Sequence, residues 1–346
     1  MNNSLRPTML ALSLATIVML PTSQALAQSN VTIYGRLDLG LRYSTNTTAS
    51  GKSLTEIASG SASSSRWGIK GSEDLGGGLK ALVLLEGGIN PDTGTAAQSN
   101  RLFGRTSTVG LSGSFGTVTL GRQNSLGYDV SPLGDPFGWA NLNDGGYFYD
   151  NYTSKRWDNS IKYVGKFGAF SPGVMWAFGE QASSARARRN TGVSLTYEDG
   201  PFSLGTVYQS TRNAAGVADR KAFILSGAYQ VSAPVKLFLG YINQRSDASS
   251  QKNDVITSGL SYAATANIDL YGAYYHERQK NADGRKNLLA AMVNYKFSKR
   301  TNVYIQADRT NTDAGYASNV FDDQGFKLPA GITGRTTLTI GVRHQF

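Results

Sequence analysis

The chain has 346 residues, with 34 lysines and arginines against 24 acidic residues and a net charge of +10. It contains 40 glycines, 18 tyrosines and 14 phenylalanines but no cysteine, which excludes disulfides and thiolate-bound metals. Two histidines leave no credible zinc site, and we expect neither metal nor cofactor. Outside the N-terminus no apolar run approaches the roughly 20 residues of a transmembrane helix, so a membrane location would require strands.

The N-terminal segment has the pattern of a cleavable signal peptide. Arg6 precedes an apolar run from Met9 to Leu20, and small residues follow at Ala25 and Ala27. This order of charge, apolar core and small residues is typical of secreted proteins. We therefore predict a signal peptide over residues 1–27, whose removal with Arg6 leaves a net charge of +9.

The remaining residues, 28–346, are predicted to form one all-β domain. The stretch VTIYGRLDLGLRY, beginning at Val31, alternates apolar and polar residues. Successive strand side chains point to opposite faces, so its apolar residues share one face while Arg36 and Asp38 share the other. The C-terminal stretch TIGVRHQF alternates in the same way and ends in Phe346.

Turn signals recur about every twenty residues and are alternately short and long. The short links contain EDLGGG, SGSFG, EDGP and SKR. The long links span residues 46–63, 90–100, 124–154, 181–189, 213–220, 247–253, 279–284 and 313–334. Eight long links imply eight hairpins and therefore about 16 antiparallel strands.

These strands are predicted to form a transmembrane antiparallel β-barrel and not a soluble sandwich. Within hydrocarbon every backbone polar group must be hydrogen-bonded, and a closed barrel is the only kind of sheet that has no unpaired edge strand. The signal peptide, the terminal Phe346 and aromatic residues near the strand ends favour the barrel. Those aromatic residues are Tyr43, Trp67, Trp157, Tyr163, Trp176, Tyr197, Tyr241, Tyr295 and Phe297.

Other classes of function have little support in the sequence. An enzyme would need a nucleophile beside a base, and neither His276 nor His344 has a serine or aspartate constellation. Nucleic-acid binding would need clustered basic patches, whereas the charges are dispersed along strands apart from a cluster at residues 186–189. A barrel-anchored adhesin would need a passenger domain, and a gated transporter would need a plug.

Four stretches resemble the trimeric general porins of Gram-negative bacteria, in particular their beta-proteobacterial anion-selective branch. They are VTIYGRLDLGL at 31, SSSRWGIKGSEDLGGGLKALVLLEGG at 63, RTSTVGLSGSFGTVTLGRQNS at 105 and the terminal TIGVRHQF. The similarity extends over the whole predicted mature chain. It implies a homotrimer in the outer membrane, with Phe346 read by the barrel-insertion machinery.

The resemblance also implies a pore constriction. In such porins the third long loop, here residues 124–154, folds inward and places acids opposite arginines of the barrel wall. The implied constriction residues are Arg66, Arg105, Arg122 and Arg156 on the wall, Glu86 beside them, and Asp129 and Asp135 on the loop.

Strand alternation adds further residues that are predicted to face the lumen. These are Arg36, Asp38, Lys70, Lys80, Asp158 and Lys162. In the same pattern Arg66 alternates with an outward Trp67, and Arg156 with an outward Trp157. Arg105 and Arg122 fit the alternation poorly.

The expected function is passive diffusion of small hydrophilic solutes and ions, with a preference for anions. Basic side chains on the lumenal face would create a positive field that favours anions. Expected partners are two further copies of the chain, outer-membrane lipid, lipopolysaccharide and small anionic or neutral solutes, and not nucleic acid. The alternative is a channel selective for one class of anionic solutes. Residues 90–100 are expected to reach a neighbouring subunit.

Overall fold

The structure is a computed structural model that describes residues 30–138, 152–182, 186–249, 251–281, 284–313, 315–316 and 328–346. The predicted signal peptide and residues 139–151 of the predicted third loop lie outside the described residues. No helix in the described ranges is both long and apolar enough to cross a membrane.

Strands make up most of the described chain. The first nine are β1 (Asn30–Ser44), β2 (Leu54–Ser59), β3 (Arg66–Gly76), β4 (Leu79–Asn90), β5 (Thr95–Ala96), β6 (Thr106–Gly113), β7 (Gly116–Asn124), β8 (Arg156–Val164) and β9 (Phe170–Ala177). The others are β10 (Asn190–Asp199), β11 (Phe202–Arg212), β12 (Asp219–Ser232), β13 (Val235–Ser246), β14 (Lys252–Ala263), β15 (Ile268–Gln279), β16 (Arg285–Lys296), β17 (Thr301–Thr312) and β18 (Gly334–Gln345).

These strands form a closed antiparallel barrel with 16 wall positions, as predicted. Successive wall strands pair with each other, and β1 pairs with β18 to close the sheet. Two strands do not add to the count. β2 and β3 pair with successive halves of β1 and act as one interrupted wall strand, while β5 pairs only with the end of β4.

The first predicted loop needs correction because residues 54–59 within it form β2. The interruption between β2 and β3, residues 60–65, is where the chain leaves the wall. Ser61, Ser63 and Ser65 in this interruption are buried and contact interior residues of β1. Sequence alternation alone does not reveal such a detour, since a serine-rich stretch is also typical of an exposed loop.

The outward face of the wall is apolar and the inward face is polar. Val31 and Ile33 are 71% and 69% exposed, and comparable aliphatic residues continue around the barrel. Aromatic pairs flank this band near the short turns, including Phe170 with Tyr197 and Phe202 with Tyr229. An apolar band bordered by aromatic rings is the surface that a transmembrane barrel presents to lipid.

Barrel closure places the C-terminal residue against the first strand. The backbone amides of Gly35 and Phe346 donate to each other's carbonyls at 3.0 and 3.1 Å. The Phe346 ring covers Gly35 so closely that a Cβ there would lie 2.3 Å from a ring carbon. Gly35 therefore interrupts the apolar alternation of β1 because the ring of Phe346 occupies the space of its side chain.

A β-bulge in β8 changes which of its residues face inward. Gly121 pairs with Ser160, but Gln123 pairs with Trp157, so β8 carries one extra residue, and Asn159 there has a φ of 53°. Trp157 is consequently 2% exposed inside the barrel. The prediction of an outward Trp157 is wrong because strict alternation does not hold across a bulge.

The chain after β7 packs inside the barrel. It forms a short helix (Leu126–Val130) and a 3-10 turn (Ser131–Gly134) that contact β9 to β14. The Ser125 hydroxyl caps this helix by accepting the amide of Tyr128 at 3.1 Å. Pro136 approaches Gly259 so closely that a Cβ there would lie 2.6 Å from the proline ring. We call residues 125–138 the inner segment.

Candidate functional site

A cluster of arginines surrounds Glu86 on the inward face of the wall, with Arg66 on β3, Glu86 on β4 and Arg105 immediately before β6. The Glu86 carboxylate forms ion pairs with the guanidinium groups of Arg105 at 2.6 Å and Arg66 at 3.4 Å. It also accepts a hydrogen bond from the Tyr34 hydroxyl at 2.8 Å. Cross-strand register places Tyr34 and Glu86 on either side of Gly68, which confirms that they share one face. Two guanidinium groups thus share a single carboxylate, and the cluster keeps a positive charge.

Arg105 reaches this cluster despite its poor fit to strand alternation. It lies in a bend immediately before β6, where its amide donates to the Glu86 carbonyl at 3.1 Å. The bend turns the side chain inward, and Arg105 is among the charged residues that are buried.

Two arginines of β1 extend the positive surface along the interior. Arg36 donates to the Ser63 hydroxyl at 2.6 Å, and Arg42 donates to the Ser61 hydroxyl at 2.7 Å. Arg42 also lies 3.5 Å from Glu56. The Ser63 hydroxyl fixes the Arg36 guanidinium without neutralising it, so Arg36 adds a positive charge to the interior.

Asp38 faces inward but is removed from the lumen. It is fully buried, and the Tyr304 hydroxyl donates to its carboxylate at 2.7 Å. Tyr304 lies on β17 and Asp38 on β1, so this bond spans β18 at the closure of the barrel. The positive charge of Arg343 on β18 repels that of Arg36. Asp38 therefore links the first and last parts of the wall.

The inner segment brings Tyr128 to the basic wall. The centre of its ring lies 5.3 Å from the Arg156 guanidinium carbon and 5.5 Å from the Lys155 ammonium. These distances are within the range of cation–π attraction. The segment thus contacts cations through an aromatic face, a role for Tyr128 that the sequence alone did not indicate.

The described acids of the third loop do not contact the arginine cluster. Asp129 accepts the Lys162 ammonium at 2.7 Å and the Asn124 amide at 3.2 Å. Asp135 is 2% exposed and accepts the Tyr275 hydroxyl at 2.8 Å. Asp135 lies in the packing between the inner segment and β15, and not across the lumen from the arginines as expected.

Arg122 and Asp158 lie on the outward face, which corrects both expectations. Arg122 lies opposite Ser107, Ser107 lies opposite Leu85, and Leu85 lies opposite the outward Ile69. Residues that lie directly opposite each other share a face, so Arg122 faces outward. The bulge in β8 brings Asp158 to the same side, where Arg122 at 2.5 Å and Arg101 at 2.9 Å contact it. Neither residue can act directly on an ion inside the barrel.

The three predicted lumenal lysines differ in position. Lys70 is exposed on the inward face, 5.7 Å from the centre of the Tyr34 ring. Lys162 faces inward and contacts Asp129, whereas Lys80 lies opposite Asp74 on the neighbouring strand, close to the turn between β3 and β4. Of these, Lys70 lies nearest the arginine cluster.

Two polar networks fix the third loop to the wall. The Gln209 side chain accepts the Gly127 amide at 3.0 Å and donates to the Thr153 carbonyl at 2.6 Å, joining both arms of the loop. In the same interior, the fully buried Glu277 accepts hydrogen bonds from Tyr152, Asn253 and Tyr316. Sequence alternation places Gln209 and Glu277 inward, but it cannot indicate what they contact.

Glu277→Ala is expected to destabilise the barrel because it removes an anion next to Lys286. Their charged atoms lie 3.7 Å apart, and both side chains are buried. Breaking a buried pair from one side costs about 3–5 kcal/mol. The temperature at which heating converts the folded band on a gel to the unfolded band should therefore be much lower for this variant. Glu277→Gln with Lys286→Met should recover most of the loss, whereas equal instability of the double variant would contradict this account.

A closed barrel with an apolar exterior and a charged interior defines a membrane channel. Within the described residues no group of three or more histidines, cysteines or acids could hold a metal ion. A family model described as Gram-negative porin matches residues 11–315, and the chain belongs to that family. It is therefore a multi-pass β-barrel of the outer membrane that acts as a passive channel and not as an enzyme.

Known proteins similar to the chain agree with this assignment. Outer membrane porin protein 32 of Delftia acidovorans is 33% identical over 357 residues, covering 96% of this chain and 99% of that protein. The solved structure of an anion-selective porin from Comamonas acidovorans is 29% identical, with a TM-score of 0.80, covering 92% of this chain and 100% of that one. The trimer form of OmpT from Vibrio cholerae is similar in fold alone, with 18% identity, a TM-score of 0.72 and coverage of 92% and 99%.

Proposed function

We propose that this porin conducts small hydrophilic solutes and ions with a preference for anions, and that its constriction lies between the arginine cluster and the inner segment. The observation that carries the proposal is the sharing of Glu86 by Arg66 and Arg105, with Arg36 close by and bound to a neutral hydroxyl. The cations of this region exceed the anions that contact them.

The position of the cluster makes its charge effective. Two unit charges 4 Å apart interact by roughly 1 kcal/mol in bulk water and by about 4 kcal/mol at an effective dielectric of 20. A narrow passage beside fixed cations therefore favours anions more than a wide vestibule with the same charges. The similarity to an anion-selective porin supports the same sign of selectivity.

The proposed constriction retains Arg66, Arg105, Arg156 and Glu86 from the sequence-based set and adds Arg36 and Tyr128. Asp129 is placed at its edge because it is bound to Lys162, and Asp135 is given an anchoring role. Arg122 and Asp158 are left out because of their outward register.

A homotrimer is the proposed assembly. The supporting observations are the family membership and the trimer form recorded for a neighbour of the same fold. We also propose that residues 1–27 are removed as a signal peptide, so that the mature chain begins at residue 28.

Uptake into liposomes tests the proposed function on solutes of matched size. We expect vesicles that contain the purified porin to admit a small dicarboxylate faster than a neutral sugar of similar mass, and a diamine most slowly. Equal rates for all three would contradict a charged constriction. Rapid entry of a single anion among several of equal size and charge would support the alternative of a solute-selective channel.

A further inference from the structure

The chain leaves the barrel wall between β2 and β3 over residues 60–65, which we call the serine detour. β2 pairs with β1 from Leu39 onward, and β3 pairs with β1 as far as Arg36. Leu37 and Asp38 of β1 therefore have no partner strand on this side of the sheet. The serine detour lies next to them, and most of its residues are buried.

Groups of the serine detour replace the missing strand partner of Asp38. The Asp38 amide donates to the Ser65 hydroxyl at 2.9 Å, and the Asp38 carbonyl accepts the Gly60 amide at 2.8 Å. The Ser65 hydroxyl also donates to that carbonyl at 3.2 Å. Backbone polar groups of a membrane-embedded wall must be hydrogen-bonded. These bonds therefore hold the serine detour against β1 in place of a regular ladder.

Arg36 and Asp38 lie on the same inward face of β1, two residues apart. A rise of roughly 3.3 Å per residue places their Cα atoms about 7 Å from each other. This separation is within reach of an arginine side chain, and the opposite charges of the two residues attract each other. From β1 alone, an ion pair between Arg36 and Asp38 would be the expected arrangement.

The structure has a different arrangement, in which the serine detour contacts both residues. The Arg36 guanidinium donates to the Ser63 hydroxyl at 2.6 Å. The Asp38 carboxylate accepts the Tyr304 hydroxyl at 2.7 Å and lies beside the Ala62 amide. Among the residues that the structure describes, no ion pair joins Arg36 to Asp38, and Arg36 Nε is buried without a hydrogen-bond partner. The serine detour thus holds the two charges apart.

The group that holds Arg36 determines whether its charge acts on the lumen. Asp38 is fully buried, so an ion pair with it would draw the guanidinium away from the passage and cancel its charge. The Ser63 hydroxyl is neutral and leaves the charge intact. Arg36 then remains close enough to Arg66 and Arg105 for their charges to repel its own. A repulsion of this kind persists only where another contact fixes the side chain.

We propose that Ser63 is a positioning residue for ion selectivity, which keeps Arg36 apart from Asp38 and so maintains a third cation beside Arg66 and Arg105. The inference rests on the anion preference proposed above and names a neutral side chain on which that preference depends. Ser63 acts through Arg36 and not by attracting ions itself.

Reversal potentials of three variants test this role as a double-mutant cycle. Arg36→Gln and Ser63→Ala should each lower the anion-to-cation permeability ratio by at least about threefold, the effect of one unit charge roughly 6 Å away in water. Adding Ser63→Ala to Arg36→Gln should lower the ratio no further, because the serine acts only through the arginine. Additive losses, or a wild-type ratio in Ser63→Ala, would overturn the proposal.

Further variants distinguish positioning from a general loss of structure. Ser63→Ala combined with Asp38→Asn should regain the wild-type ratio, since Arg36 then has no carboxylate to pair with. Ser63→Thr keeps a hydroxyl and should retain the anion preference. Ser44→Ala is the matched control, because it removes a buried inward hydroxyl that is bonded to Thr337 and to no cation, and its ratio should be unchanged. Failure of Asp38→Asn to restore the ratio would refute the role of Ser63.

Asp38→Asn alone decides the question if Ser63→Ala does not assemble. Because Ser63 already keeps Arg36 unpaired, this variant should raise the permeability ratio by less than about twofold. A larger rise would show that Asp38 neutralises Arg36 in the wild type, contrary to the proposal. Cation preference of the wild type would instead refute the proposed function, whereas an anion-selective wild type with an equally selective Ser63→Ala variant refutes only the role of Ser63.

Discussion

Replacing Arg66 and Arg105 together by glutamine is expected to lower the anion-to-cation permeability ratio by about tenfold, which corresponds to about 1.4 kcal/mol. The double change removes both cations that contact Glu86 and leaves its carboxylate facing the lumen with only the Tyr34 hydroxyl among these partners. The net charge of the group formed by residues 66, 86 and 105 thus changes from positive to negative. Reversal potentials of single channels in a salt gradient measure the effect.

Two matched controls separate position from net charge. Arg122→Gln removes a cation from the outward face, and Arg186→Gln with Arg188→Gln removes two from an exposed turn between β9 and β10. At physiological salt, charges farther than about 8 Å from the ion path are largely screened. Both controls should therefore leave the reversal potential nearly unchanged. Equal shifts in control and wall variants would indicate a broad surface potential and no selective constriction at Arg66 and Arg105.

Deletion of Phe346 is expected to reduce the folded, heat-modifiable form at least about tenfold without changing synthesis. The deletion removes the hydrogen bonds between Phe346 and Gly35 and uncovers the Gly35 backbone. Unpaired backbone groups at a membrane-embedded seam cost several kcal/mol each. Unheated gels measure the loss, and assembly of the truncated chain at wild-type levels would show that Phe346 is dispensable.

A point substitution separates the ring from the backbone. Phe346→Ala keeps the hydrogen bonds to Gly35 and loses only the ring, so the folded yield should fall less than on deletion. Phe346→Tyr should assemble normally because it restores an aromatic ring over Gly35. Refolding in detergent, without insertion machinery, tests the seam directly. Normal refolding of the deletion variant would assign the residue to recognition by that machinery alone.

The fold could be predicted because the apolar alternation and the alternation of turn lengths both follow from the requirements of a lipid-embedded barrel. The errors arise where the wall departs from a regular strand. One extra residue at Asn159 reversed the expected direction of Trp157. The sequence predicts a loop over residues 46–63, which includes most of the detour at residues 60–65, because serines suit both exposed loops and buried hydroxyl contacts.

The candidate site was only partly predictable. Arg66 and Glu86 follow strand alternation and lie inward, whereas Arg122, which is predicted at the constriction despite its poor fit to the alternation, lies on the outward face. Alternation gives a side chain's face but not its partner. The burial of Asp135 against Tyr275 and the contact of Tyr128 with Arg156 depend on how the inner segment crosses the barrel, which no local pattern specifies.

The most direct test of the central claim is the zero-current potential of the wild-type porin in a planar bilayer between dilute and concentrated potassium chloride at neutral pH. An excess of inward-facing arginines over their carboxylate partners predicts that chloride permeates better than potassium, so the dilute side should become negative. A potential of the opposite sign would show cation preference. It would contradict control of the pore by Arg36, Arg66 and Arg105.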